Sequence, residues 1–235
     1  MIESNTITLD NKKQILARRI YLFLAALFIA ALVTCNIIAN KFIQIDLYFL
    51  GVYTISVGVL PYPITFLITD ILSEVYGRKR TNEVVIAGFG VSVFVLFLLW
   101  LGHSFPAIEN SPVQDESYNI VFQNSWRVIM ASMVAYLSAQ FLDVRLFHFW
   151  KRKTQGKKLW LRNNFSTITS QFLDTFLVVS IIFVGSISYQ TIGQYIFDGW
   201  LFKVICAVFD TIFIYLVMWG FRKVFGLKHG QEIDF

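Results

Sequence analysis

Residues 61–80 read PYPITFLITDILSEVYGRKR: a proline-headed apolar run that carries Asp70 and Glu74 one helical turn apart and stops at Gly77, Arg78, Lys79 and Arg80. A segment apolar enough to enter a bilayer does not keep two carboxylates unless they face protein or water rather than lipid. The stretch therefore reads as a membrane helix turned toward a polar interior, and the rest of the chain must supply that interior.

Of the 235 residues, 56% are hydrophobic and only 15% charged, against about 45–50% and about 25% in soluble domains. Apolar runs lie at about 20–40, 61–77, 83–102, 126–150, 164–187 and 199–221, each near the roughly 20 residues that cross a bilayer as a helix. The fold class is all-α and polytopic, with six transmembrane helices in one integral-membrane domain over 1–235. Sixteen of the 20 bases sit at alternate ends of these runs: Lys12 to Arg19, Arg78 to Arg80, Lys151 to Arg162, and Arg222 to Lys228. The opposite ends hold the base-free stretches HSFPAIENSPVQDESYN (103–119) and SYQTIGQYIFDG (188–199). By the positive-inside rule both termini are cytoplasmic, as an N-terminal segment 1–19 and a tail 222–235. About nineteen polar residues precede the first run, which is long enough to span, so it reads as an anchor rather than a cleaved signal.

Residues 42–60, FIQIDLYFLGVYTISVGVL, depart from the helical pattern. They are β-branched, place polar residues at near-alternate positions, and contain Gly51 and Gly58, which predicts an extended hairpin or re-entrant segment on the outer side turning near Leu50 and Gly51. Such backbone is stable at membrane depth only against protein or a wet cavity.

Five acids lie inside the apolar runs: Asp70, Glu74, Asp143, Asp174 and Asp210. An Asp at a helix centre opposes insertion by roughly 2.5–3.5 kcal/mol, whereas interhelical hydrogen bonds return only about 0.6 kcal/mol each. Packing alone is a poor reason for keeping them. Ser132, Tyr136, Gln140 and Asp143 share a face of the fourth helix, and Thr167, Ser170, Gln171 and Asp174 share a face of the fifth. The letters QFLD recur at 140–143 and 171–174, on successive antiparallel helices that are expected to face one another. Lys203, Cys206 and Asp210 share a face of the sixth helix, and Asn36 and Asn40 lie one turn apart near the outer end of the first. The third helix offers little polarity and is expected to face lipid or to pack through Gly88.

A chamber lined by carboxylates and amides, with Lys203 as internal cation, accepts a small donor-rich molecule, cationic or neutral. The bases do not form a surface that a phosphate backbone could follow, so nucleic acid is not an expected partner. Cys35, Cys206 and the three histidines are scattered, so no metal and no cofactor is implied. HExxH, GxSxG and Walker A patterns do not occur, which leaves metalloprotease, serine hydrolase and ATPase without support. An intramembrane aspartyl protease also needs paired membrane carboxylates, but its YD and GxGD elements are missing. The chain is not expected to be an enzyme.

The run YPITFLITDILSEVYGRKR (62–80), with TCNIIANK (34–41) and the doubled QFLD, resembles the queuosine precursor transporter family among the vitamin uptake transporters. The likeness covers nearly the whole chain; Tyr62 stands where a Phe is common. It implies a multi-pass bacterial inner-membrane importer of 7-deazaguanine precursors (preQ0 and preQ1) for queuosine salvage, with a fold similar to the S-components of energy-coupling vitamin transporters. The alternative is uptake of another small planar nucleobase- or vitamin-like solute. On this reading Asn36, Asn40, Asp70, Gln140, Asp143, Gln171, Asp174, Lys203 and Asp210 contact substrate, and Glu74 with Arg78, its neighbour at i+4, forms an ion pair or inner gate. The bilayer and the substrate are the expected partners, and a homodimer is compatible with the sequence.

Overall fold

The computed structural model describes residues 6–7, 9–39, 41–46, 52–122 and 126–234. The helices among these are α1 (Asn11–Ile37), α2 (Tyr62–Val75), α3 (Gly77–His103), a short α4 (Asp115–Phe122), α5 (Trp126–Lys153), α6 (Leu159–Phe183) and α7 (Tyr189–Phe225). Strand β1 (Thr6–Ile7) pairs in parallel with β4 (Glu232–Ile233), and β2 (Phe42–Asp46) pairs antiparallel with β3 (Val52–Ser56).

Side chains are distributed inversely to a soluble protein. Leu22, Phe23, Ile86, Phe94, Val208 and Trp219 are exposed, whereas Asp70, Glu74, Gln140, Asp143, Arg162 and Asp174 are each at most 3% exposed. Helices with apolar outsides and polar insides suit hydrocarbon, where backbone groups are satisfied within the helix. Helices α1, α3, α6 and α7 and the stretch 57–75 are each long and apolar enough to cross a membrane. The chain is an all-α, multi-pass membrane protein.

Helix α2 is the axis of the bundle, with ten of its 14 residues buried. At 1.5 Å per residue it is about 21 Å long, short of the roughly 30 Å hydrocarbon core. The 3₁₀ turn Val57–Val59 and the β2–β3 hairpin precede it. Pro61 and Pro63 flank its start, where missing N–H groups cost little. At its other end Gly77 takes φ +81°, a left-handed conformation that terminates a helix at low cost only for glycine. The chain turns there directly into α3, so Arg78, Lys79 and Arg80 occupy the first turn of that helix rather than a loop.

Three further boundaries differ from the sequence reading. Helix α1 starts at Asn11, where Asp10 accepts a hydrogen bond from the Lys13 N–H at 3.0 Å, so much of the segment 1–19 is helical. Stretch 188–199 is helical from Tyr189, because Ser188 caps the start by accepting from the Thr191 N–H at 3.2 Å. The expected loop 103–119 ends in α4, whose first turn carries Asp115 and Glu116 against the positive end of the helix dipole.

The extended segment forms a hairpin in the register Phe42↔Ser56 to Asp46↔Val52. Its expected turn, near Leu50 and Gly51, lies outside the described residues. Tyr53 and Ile55, two apart, bury one face against Phe202 of α7, and Ser56 donates to the Ala39 carbonyl at 2.6 Å beyond the end of α1. Helix α3 packs through Gly88, where an added Cβ would stand 2.9 Å from Phe28 and 3.1 Å from Leu32 and from the Tyr136 hydroxyl.

The two ends of the chain meet. Leu227 and Ile233 enter the main core, Arg80 bonds to Asp234 at 3.1 Å, and Glu232 accepts from Lys151 at 2.9 Å. Residues 227–234 thereby strap the end of the bundle where α2 meets α3.

Candidate functional site

The buried polar residues fall into three layers along α2. By helical rise, Asp70 stands about 12 Å from Tyr62 and about 6 Å from Glu74. Helix α6 runs antiparallel and meets each in turn, through Asp174, Thr167 and Arg162.

At the hairpin end, Lys203 of α7 donates to Asp174 at 2.6 Å, and Tyr62 donates to the other Asp174 oxygen at 2.8 Å. The Lys203 ammonium also lies 4.6 Å from the centre of the Tyr62 ring, a favourable cation–π placement. Carboxylate and ammonium neutralise one another here, away from water.

At the strap end, Arg162 donates to Glu74 at 2.5 Å, and both side chains are at most 1% exposed. Lys151 stands 3.6 Å from the second Glu74 oxygen and donates to the carbonyls of Ser73 and Glu74 at 3.4 and 3.0 Å. It thus places a positive charge on the final carbonyls of α2, where the helix dipole is negative.

Between these ion pairs lies a layer with a different composition. Thr167 of α6 donates to Asp70 at 3.4 Å, and Ser170, one turn along, donates to Asp143 at 3.0 Å, so two buried carboxyls face neighbouring hydroxyls of one helix. No Lys or Arg pairs with either carboxyl among the described residues. Gln140 and Gln171 are 0% and 2% exposed, and among the described residues neither amide finds a hydrogen-bond partner; Asp70 Oδ1 and Asp143 Oδ2 are likewise without one there. Buried polar groups in folded proteins are normally hydrogen-bonded. Gln140 lies one turn from Asp143 on α5 and Gln171 adjoins Ser170 on α6, so four incompletely satisfied side chains stand at about one level of the bundle, ready to accept and donate hydrogen bonds.

Residues 56–217 match the family described as "Putative vitamin uptake transporter". The chain belongs to that family. It is 31% identical over 134 residues to the "Probable queuosine precursor transporter" of Bacillus subtilis (strain 168), covering 56% of this chain and 58% of the relative. It is 28% identical over 160 residues to the "Queuosine precursor transporter" of Escherichia coli (strain K12), covering 66% and 65%. A third relative, from Haemophilus influenzae (strain ATCC 51907 / DSM 11121 / KW20 / Rd), is 25% identical over 143 residues, covering 61% and 56%. The matched regions thus span less than two thirds of these relatives' lengths. No solved structure matches the chain.

Of the residues singled out from sequence, Asp70 and Asp143 meet α6 hydroxyls in the middle layer, and Gln140 and Gln171 stand within a helical turn of that level. The fold joins Asp174 to Lys203, so that Lys203 is already committed to a carboxylate. Asp210 is half-buried on α7. Asn36 accepts from Ser132 at 2.9 Å and donates to the Leu32 carbonyl at 3.2 Å. It lines an apolar cleft with Val33, Ser92, Leu96 and Phe122, not the carboxyl layer. Asn40 lies outside the described residues.

The Glu74 pairing needs correction. Gly77 breaks the helix between Glu74 and Arg78, so the i+4 relation does not hold; Arg78 is exposed on α3, and Glu74 pairs with Arg162 and Lys151 instead. Both bases fall in the run 151–162 that reads from sequence as interfacial, yet Arg162 is wholly buried. A signal for it exists: 162, 166, 170 and 174 follow one another at steps of four, so Arg162 continues the stripe of Ser166, Ser170 and Asp174. Tyr62 is the other residue that sequence reasoning passed over, and its mark is the hydroxyl where the family resemblance leads one to expect Phe.

Proposed function

We propose that this protein imports 7-deazaguanine precursors of queuosine, preQ0 or preQ1, across the bacterial inner membrane, through six spanning helices with both chain ends in the cytoplasm. The observation that carries the reading is the cation-free layer of Asp70, Asp143, Gln140 and Gln171. A deazaguanine edge presents ring N–H and exocyclic amine donors, which carboxylates and amide oxygens accept. The names of the relatives, queuosine precursor transporters, support the same substrate class.

The ion-pair layers then act as gates about a central site, as alternating access requires. Substrate arrives beside the β2–β3 hairpin and passes Tyr62, Asp174 and Lys203. Release to the cytoplasm requires the Glu74–Arg162 pair to part. Asn36, Asn40 and Asp210 are secondary contacts on this reading.

The test is uptake of labelled preQ0 and preQ1 by cells that can neither make nor otherwise import them, with unlabelled guanine as competitor. Uptake should fall to background in Asp70→Asn and Asp143→Asn variants that still reach the membrane. Absence of uptake of either 7-deazaguanine by the wild-type protein would overturn the assignment and favour another planar nucleobase- or vitamin-like solute.

A further inference from the structure

We infer that the Asp70–Asp143 pair is a proton-binding site whose proton is exchanged for the charge of a cationic substrate. The inference rests on the proposed transport of 7-deazaguanines and adds to it a distinction between the amine-bearing and the nitrile-bearing precursor.

The geometry gives the reason. Two carboxyls 1% and 0% exposed face the neighbouring hydroxyls Thr167 and Ser170 of α6, which are their side-chain donors at 3.4 and 3.0 Å. Adjacent carboxylates without a cation cannot both stay charged in a site removed from water; one proton is retained between them. Among the described residues each also keeps one oxygen without a partner, and the buried amides of Gln140 and Gln171 are unsatisfied. The layer therefore has room in its hydrogen bonding for a ligand as well as a charge to be balanced.

Among the described residues, the charged groups on the surrounding elements do not supply that balance. On α2, Glu74 is held by Arg162 of α6 and by Lys151 of α5. On the other side Asp174 of α6 holds Lys203 of α7. His148 of α5 is buried near the strap end, the charged residues of α3 (Arg78, Lys79, Arg80 and Glu83) lie in its first two turns, and α1 contributes the buried thiol Cys35. From α7, Cys206 and Asp210 are half-buried, and neither is a cation.

The exchange balances. In the empty site the pair carries one proton and a net charge of one negative unit. When a primary ammonium enters between the carboxyls, the proton leaves to solvent, two carboxylates face one ammonium, and the net charge is unchanged. A neutral nitrile brings no charge, so the proton stays. An aliphatic amine resembles Lys in remaining protonated to about pH 10, so the ligand does not itself titrate near neutrality.

The experiment uses purified wild-type protein in lipid nanodiscs, in weakly buffered solution with a pH indicator, saturated first with preQ1 and then with preQ0. Binding of preQ1 should release about one proton, and its Kd should rise about tenfold for each pH unit lowered, the slope of a one-proton competition. Binding of preQ0 should release none and show a flat pH profile. The Asp143→Asn variant should lose the proton release, while His148→Gln should retain it. If both ligands bind and neither displaces a proton, the inference fails and the transport reading stands. If neither ligand binds, the transport reading itself fails. Proton release that persists in Asp143→Asn and vanishes in Asp210→Asn would move the site to α7 and overturn the assignment.

Discussion

Removing Arg162 should be far more damaging than removing it together with Glu74. In the native protein the Arg162 side chain is 0% exposed and Glu74 1%, so neither is relieved by solvent when its partner is lost. Breaking a buried pair from one side costs about 3–5 kcal/mol, whereas replacing both partners with apolar residues is often neutral. In Arg162→Leu, Lys151 remains 3.6 Å from Glu74 and offsets part of the loss, which places the expected destabilisation near about 3 kcal/mol. In Glu74→Leu, the guanidinium keeps its bond to the Lys157 carbonyl at 3.0 Å, and a loss of similar size, about 3 kcal/mol, is expected. The double variant should lie within about 1 kcal/mol of wild type. Reversible SDS unfolding in mixed micelles, followed through the six tryptophans, measures all four proteins. Two single losses that simply add in the double variant would refute the reasoning, because additivity means that the two side chains do not interact.

Tyr62→Phe keeps the ring beneath Lys203 but deletes the 2.8 Å bond to Asp174; a loss of about 1 kcal/mol in the same unfolding assay is expected. Gly88→Leu inserts a side chain against Phe28, Leu32 and Tyr136, and overpacking of about 1–3 kcal/mol should appear as a lower thermal midpoint in detergent. Gly77→Ala forces a Cβ into a left-handed residue and toward the Glu232 carboxylate, at a cost of about 1–2 kcal/mol. The strap should then be cleaved faster by added protease, and an unchanged cleavage rate would count against its docking at Gly77.

The bundle was legible in the sequence because its information is local: apolar runs of spanning length, polar stripes at helical spacing, and β-branched alternation through 42–56. What the sequence withheld is which polar group meets which. The two QFLD repeats look equivalent, yet Asp143 accepts from Ser170 while Asp174 is taken by Lys203 and Tyr62. Antiparallel helices bring only one level into register at a time, so identical letters reach different partners. Glu74 shows the same limit. Its neighbour in sequence was Arg78, but a single left-handed glycine redirected the chain and left bases 77 and 88 positions away to neutralise it. Boundaries moved for a related reason: capping by Asp10 and Ser188 extends helices into polar sequence that hydropathy reads as loop.

The pairing of β1 with β4 joins Thr6 to Glu232 and Ile7 to Ile233 across the whole set of helices. Contacts so far apart in sequence gain nothing until the segments between them have come together. The strap, and with it the niche at Gly77, therefore closes on a bundle that has already assembled.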